Sequence, residues 1–408
     1  MKKYKLGDLG KIVTGKTPRT SIEENYGGDI PFITPSDDLS VKDIREVSKK
    51  ITELGLKEVK NCLLPPRSIC VSCIGSDMGK VVMTSVPSVT NQQFNSIIPN
   101  ESFDADYIYY LMIPIGQQMK NKLGKQSTAV PIVSKSQFSD IDVSIICDIK
   151  DQKKVSSVLS SIDNRIENLR AQNRVLEQTA KTIYDYTFLQ CAGHQTTYNK
   201  TLNRNIPADW EVKKMEEVLQ PIERGISYSS EEIKSGKGMP MYNLACFDKQ
   251  GNYRSGELKF YSGEYKTSDL IKLGDMLIAC TDLTRNADII GTPVIVNDEY
   301  DLFVYTTDLA KITPKNEEMK YHIYFWLKNS SYRKYIKPFA SGTNVLHLNV
   351  RGVLDYPILV PNSSVLKKFN AQVEPIFRKQ LVNAKQIETL TTQRNTLLPL
   401  LMTGQVNF

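Results

Sequence analysis

Histidine is the scarcest chemistry-bearing residue in this sequence, with three in 408 positions. His194, His322 and His347 lie far apart, and none has a metal-ligating neighbour at i+4. A zinc centre needs several such ligands at fixed spacing, so no metal site is expected. Gly10-Lys11-Ile12-Val13-Thr14-Gly15-Lys16-Thr17 spells Gly-x-x-x-x-Gly-Lys-[Ser/Thr], but the string alone does not make a phosphate loop, and no ATP motor is expected. The similar-looking Gly75-Ser76-Asp77-Met78-Gly79-Lys80 has the wrong glycine spacing and no hydroxyl after the lysine, and reads as a turn between strands. The single Pro-Pro, in Leu64-Pro65-Pro66-Arg67, lacks the amide and the aromatic partner of an Asn/Asp-Pro-Pro-aromatic methyltransferase motif. Glu58-Val59-Lys60 and Glu257-Leu258-Lys259 match the Glu-x-Lys fragment of magnesium nucleases. So short a pattern is expected by chance in a chain that is 24% charged. No catalytic machinery is legible.

Long apolar runs are also absent, so no helical membrane span is expected. The start, Met1-Lys2-Lys3-Tyr4-Lys5-Leu6-Gly7-Asp8, lacks a secretory apolar core and reads as cytoplasmic. Seven scattered cysteines form no framework and fit a reducing compartment. Cys70 and Cys73 make one C-x-x-C. The run Ser68-Ile69-Cys70-Val71-Ser72-Cys73 reads as a buried strand, however, on which positions three apart face opposite sides. The net charge is +7, a mild excess compatible with nucleic acid without demanding it.

What is present is a repeat of about half the chain, sought before any element-level reading. Tyr4-Lys5-Leu6-Gly7-Asp8-Leu9 is matched by Trp210-Glu211-Val212-Lys213-Lys214-Met215 as an entry to each half. Pro31-Phe32-Ile33 is matched by Pro240-Met241-Tyr242, and Ser68–Cys73 by Asp275–Cys280. Ser127-Thr128-Ala129-Val130-Pro131-Ile132 is matched by Gly342-Thr343-Asn344-Val345-Leu346-His347.

Each half ends in a long helix. In the first, with Asp151 as its expected N-cap, Val155, Leu159, Ile162, Ile166, Leu169, Asn173, Leu176, Ala180 and Ile183 alternate four- and three-residue spacings. That is a coiled-coil seam. The second, entered at Pro361-Asn362-Ser363-Ser364, repeats the register as Phe369, Val373, Ile376, Gln380, Asn383, Ile387, Leu390, Arg394, Leu397 and Leu401. Gln380, Asn383 and Arg394 interrupt it. Pro375 should kink it, with Leu381 and Ala384 replacing the interrupted positions. Two matched seams most simply pack on each other within one chain; dimerisation through them is the alternative. Residues 191–209 are polar and patternless, and are expected to form a linker.

Four segments carry a family resemblance: Leu6-Gly7-Asp8-Leu9 with Gly15-Lys16-Thr17-Pro18, Ile30-Pro31-Phe32-Ile33-Thr34-Pro35-Ser36-Asp37, Ile206-Pro207-Ala208-Asp209-Trp210, and Leu397-Leu398-Pro399-Leu400-Leu401-Met402-Thr403-Gly404. In order, spacing and duplication they resemble the specificity subunits of type I restriction-modification systems. The resemblance implies an α/β chain with two mixed α/β target-recognition domains in pseudo-two-fold repeat and two long antiparallel coiled-coil helices. The expected division is 1–148 for the first domain, 149–190 for its helix, 191–209 for the linker, 210–361 for the second domain and 362–404 for its helix. The implied partners are double-stranded DNA with an asymmetric bipartite target, two methyltransferase subunits and motor-nuclease subunits. S-adenosylmethionine, ATP and magnesium would sit on those partners, and no cofactor on this chain. The sequence departs from the family at Thr281-Asp282-Leu283-Thr284-Arg285, where a glycine-bearing turn is usual.

Amides and guanidiniums read base edges, while hydroxyls and lysines position phosphates. Loops rich in those types give the candidate contacts Lys16, Thr17, Thr34, Ser36, Ser76, Lys80, Asn91, Gln92, Gln93, Gln126, Ser127 and Thr128 in the first half. In the second they are Arg224, Tyr242, Asn243, Thr284, Arg285, Ser341, Thr343 and Asn344. For each, the competing interpretation is a solvated turn or a side-chain cap. Two other functions compete with DNA recognition: a single-chain DNA-modifying or DNA-cleaving enzyme with divergent motifs, and a coiled-coil scaffold.

Overall fold

The computed structural model describes residues 1–75, 78–123, 132–191, 193–234, 237–247, 258–284, 286–297 and 300–405. The chain folds as two compact units, Met1–Asn168 with Thr389–Phe408, and Leu169–Glu388.

Unit 1 is built on a five-stranded sheet in the order Gly10–Thr14, Phe94–Pro99, Ile69–Ser72, Val81–Thr84, Asp43–Ile44. Ile69, Cys70, Val71 and Ser72 are all buried, because this central strand is covered on both faces. Alternation sends Ile69, Val71, Met83 and Ile97 toward the Ala105–Leu123 helix. It sends Cys70, Val82 and Phe94 into a second cluster with Val13 and Ile33. Cys73 belongs to the first cluster, so the C-x-x-C is two core thiols facing apart. Burial pushes Cys70 up to about 12 and Cys73 to about 11. A small sheet of Lys50–Ile51, Tyr26–Ile33 and Val89–Thr90, the last pair parallel, lies at one end.

Unit 2 repeats this plan. Its sheet runs Glu223–Arg224, Leu309–Ile312, Met276–Ala279, Pro293–Ile295. The Lys320–Lys328 and Ser330–Ile336 helices join Met276, Ile278, Ala310 and Ile312 in one cluster. Leu277, Ala279, Val294 and Leu309 pack with Tyr242, Phe303 and Tyr305 in another. Here too a parallel pair occurs, Met239–Tyr242 beside Leu302–Tyr305. Each large apolar side chain so enclosed contributes roughly 1.5–3 kcal/mol relative to exposure.

The two entry motifs align by structure rather than by the first letters compared. Leu6 and Met215 are both fully buried. Leu6 N donates to Ile141 O and Met215 N to Tyr356 O, each at 3.0 Å. Lys5 N to Asp8 Oδ2 and Lys214 N to Glu217 Oε1, both 2.8 Å, are the same local cap. Trp210 therefore precedes the true counterpart of Tyr4 by three residues.

The long helices span Ile149–Tyr184, followed by a wider turn at Asp185–Leu189, and Ser363–Met402. The first is capped by Asp148, whose Oδ1 accepts from Lys150 N at 2.7 Å, and not by Asp151, which pairs with Lys154 inside the helix. In unit 1, Val155 and Leu159 share a cluster with Leu398, Leu401 and Met402. In unit 2, Ala180, Tyr184 and Phe188 share one with Phe369, Val373 and Phe377. Later residues of one helix meet earlier residues of the other, so each pairing is antiparallel.

The polar interruptions are part of the seam. Asn383 is fully buried and its Nδ2 donates to Asn173 Oδ1 at 2.8 Å. Gln380 Nε2 donates to Asn173 O at 3.2 Å. Arg394 Nη1 lies 3.0 Å from Asp163 Oδ1, and Asp163 Oδ2 accepts from Tyr110 at 2.6 Å. The helix runs unbroken through Pro375, and Leu381 and Ala384 do not displace the buried Asn383 from its position. The described residues of 191–209 are not patternless. Thr196–Asn199 and Arg204–Pro207 form a hairpin, and Cys191 and Ile206 enter the core of unit 2.

Candidate nucleic-acid interface

A short set of backbone ties gathers the loops at one end of unit 1. Lys16 N donates to Thr90 O at 2.9 Å, Asn91 N to Ile33 O at 3.1 Å, and Cys73 N to Gln93 O at 2.7 Å. Val133 N donates to Cys73 O at 3.0 Å. Segments 15–17, 33–37, 73–75, 90–93 and 132–133 are thereby brought together from distant parts of the sequence. Gly15 allows the closest approach, since a Cβ there would collide with the carbonyls of Thr90 and Asn91.

Unit 2 carries the same ties. Ile226 N donates to Tyr305 O at 2.8 Å, Thr306 N to Tyr242 O at 3.1 Å, Cys280 N to Asp308 O at 2.7 Å, and Leu348 N to Cys280 O at 2.8 Å. Gly225 meets the carbonyls of Tyr305 and Thr306 as Gly15 meets those of Thr90 and Asn91. The turn glycine missing from 281–285 is found further on. Gly79 N donates to Ser72 O and Gly291 N to Ala279 O, both at 2.8 Å, and both glycines have positive φ. The second half has kept the glycine and lengthened the loop before it.

On this frame the sequence candidates divide. Lys16, Ser36, Lys80 and Gln92 are exposed, and Thr17 and Gln93 partly so. Thr17 Oγ1 donates to Gln92 Oε1 at 2.6 Å, which joins two of the loops through side chains that also face outward. Thr34 and Asn91 are mostly buried and serve the frame. Thr34 N donates to Asp37 Oδ2 at 2.7 Å, and Asn91 Oδ1 accepts from Gln93 N at 3.0 Å. Ser76, Gln126, Ser127, Thr128 and Arg285 lie outside the described residues.

In unit 2, Arg224, Ser341, Thr343 and Asn344 are exposed and Thr284 is half-buried. Arg224 Nη1 donates to Thr307 O at 3.0 Å. Tyr242 and Asn243 are corrected to core residues. The Tyr242 ring is fully enclosed and its hydroxyl accepts from Asn297 N at 3.0 Å. Asn243, 5% exposed, accepts from Ala245 N at 2.9 Å. Neither presents a group to a ligand.

Residue type alone missed the anchors of the 283–290 loop. Asp282 is buried and accepts from Thr284 N and Ile289 N, both at 2.7 Å. Arg333 Nη1 donates to Ile290 O at 2.8 Å and Lys337 Nζ to Asn286 O at 2.8 Å. Glu58 ends a short helix and pairs with Arg19 at 2.9 Å, so Glu58-Val59-Lys60 is not a nuclease strand. Among the described residues no three potential metal ligands cluster, and no helix is long and apolar enough to cross a membrane.

Two copies of one loop-bearing frame, rimmed by lysine, arginine, amide and hydroxyl side chains, define a duplicated α/β binding protein. Residues 1–178 match the type I restriction modification DNA specificity domain. The chain is similar to the type I restriction enzyme MjaIX specificity subunit of Methanocaldococcus jannaschii, at 28% identity over 98% of this chain and 92% of that one. It is also similar to the HindI specificity subunit of Haemophilus influenzae, at 39% identity over 40% of this chain and 37% of the relative. Its fold is that of the type I restriction-modification S subunit from M. genitalium, with a TM-score of 0.54, 15% identity, and coverage of 98% and 96%.

Proposed function

We propose that this chain is the DNA-recognition subunit of a type I restriction-modification enzyme, without catalytic residues of its own. The observation that carries this reading is the repeated frame: equivalent backbone ties hold loops of different side chains in the two units. A scaffold gains nothing from two divergent loop clusters, whereas a reader of two different half-sites requires them. Residues 1–148 and 210–361 are the proposed recognition domains. Residues 149–190 and 362–404 form the helices on which two methyltransferase subunits dock, and 191–209 connects the two halves. The proposed DNA contacts are Lys16, Thr17, Ser36, Lys80, Gln92 and Gln93 in unit 1, and Arg224, Thr284, Ser341, Thr343 and Asn344 in unit 2. Ser76, Gln126, Ser127, Thr128 and Arg285 are proposed from sequence alone. S-adenosylmethionine belongs to the methyltransferase subunits, ATP and magnesium to motor-nuclease subunits, and the assembly works in the cytoplasm.

The test is reconstitution. The purified chain is expected neither to methylate nor to cleave DNA. Addition of its methyltransferase subunit should produce methylation at one bipartite, asymmetric sequence, mapped by sequencing the modified DNA. Methyl transfer by the chain alone at the rate of the complex would establish the single-chain enzyme instead.

A further inference from the structure

We propose that Leu283 reads the 5-methyl group of a thymine in the half-site bound by unit 2, an inference that rests on the DNA-recognition reading above. Leu283 is 70% exposed, the most exposed large apolar side chain among the described residues. It does not sit on a slack turn. Both carboxylate oxygens of buried Asp282 cap backbone N–H groups of the loop that follows, and Thr284 Oγ1 accepts from Asp288 N at 3.1 Å. Arg333 and Lys337 hold the carbonyls of Ile290 and Asn286 from the adjoining helical segments. A solvated turn needs no such anchoring and favours a polar side chain at its tip.

The position of the leucine selects its partner. Thr281 pairs with His347, and His347 with Ser341, in one small sheet. Leu283 therefore directly follows the Thr281–Asp282 strand, whose partner strand leads out of the exposed Ser341–Asn344 turn. A protein partner would require a contiguous apolar patch, whereas the neighbours here, Asn286, Ser341, Thr343 and Asn344, are exposed hydrogen-bonding groups. In a DNA major groove, polar edges surround a single apolar feature, the thymine C5-methyl. One aliphatic side chain among amides and hydroxyls complements that pattern.

The experiment uses the specificity chain assembled with its methyltransferase subunits and duplexes carrying the mapped target. Each thymine on either strand of the half-site that responds to exchange of residues 210–361 is replaced in turn by deoxyuridine, which removes only the methyl group. One replacement should weaken wild-type binding about fourfold, the effect of one buried methyl group. Leu283→Ala should bind the thymine duplex weaker by the same factor and no longer distinguish thymine from uracil at that position. Wild-type indifference to every replacement, or a half-site without an A·T pair, overturns the proposal. Uracil discrimination that survives in Leu283→Ala also overturns it. So does equal loss on both duplexes, the result of a base-step wedge, or failure of the variant to assemble with the methyltransferase. Failure of the recognition reading itself is separate: the wild-type complex would show no sequence preference.

Discussion

His322 shows how a scarce residue can be legible in type and still not in role. Its ring is fully enclosed, Nε2 lies 2.7 Å from Leu359 O, and Phe188, Tyr184 and Trp326 surround it. Burial pushes its pKa from 6.5 down to about 4, against the raising effect of the Leu359 carbonyl. Above pH 6.5 both folded and unfolded chains hold it neutral. Between 6.5 and 4 the unfolded chain takes up a proton that the folded one refuses, so the stability of unit 2 falls as pH drops through that window. The slope from this residue approaches ~1.4 kcal/mol per pH unit. Both tryptophans, Trp210 and Trp326, lie in unit 2, so denaturation followed by their fluorescence isolates that unit. His322→Gln should flatten the dependence between pH 6.5 and 4 relative to wild type, whatever its stability at pH 7. Equal slopes would show that the imidazole does not remain neutral. Tyr242 and Asn243 teach the converse. Residue type marked them as contacts, but their exposure depends on a parallel strand, Leu302–Tyr305, that lies about sixty residues further along the chain.

At the scale of elements the seams were readable because helical spacing is local, while their polar members were not because their partners are remote. Asn173 and Asn383 each look like a defect in an apolar register. Together they form one half-buried amide contact, with Asp163 and Arg394 forming a charged one. Such pairs favour one alignment, because a slipped register buries each amide against aliphatic side chains. Asp151 has the residue type of a cap, yet Asp148 fills the position, a choice the backbone makes. Asn383→Leu leaves the Asn173 amide facing carbon and should cost about 1–3 kcal/mol. The double variant Asn173→Leu/Asn383→Leu should recover most of that loss, since both partners are then apolar. Urea denaturation of the four proteins gives the coupling directly. Additive losses in the double variant would mean that the two amides do not depend on each other.

At the scale of the whole chain, duplication was the most legible feature and loop chemistry the least. The frame recurs because four backbone ties and two sheet faces constrain its residues to glycine, small and apolar types at matching places. The loops recur only in position. Unit 1 offers Lys16, Gln92 and Gln93 where unit 2 offers Ile226, Thr307 and Asp308, and the loop ahead of Gly291 is longer than that ahead of Gly79. Two frames of one design with different contact groups should read different bases, each by its own loops. The core clusters described above each lie within one unit, so exchange of residues 1–148 leaves the core of unit 2 intact and, in unit 1, meets the retained Val155, Leu159, Leu398, Leu401 and Met402. Replacing residues 1–148 by the corresponding domain of a relative is therefore expected to leave a folded chain that still assembles with methyltransferase. The methylated sequence should change in one half and stay the same in the other. Exchange of 210–361 should alter the complementary half. Single-molecule sequencing of methylated DNA from cells carrying each chimera reads both halves at once. A chimera that methylates a wholly new sequence would mean that the units read jointly. One that keeps the parental sequence would place recognition outside the exchanged residues.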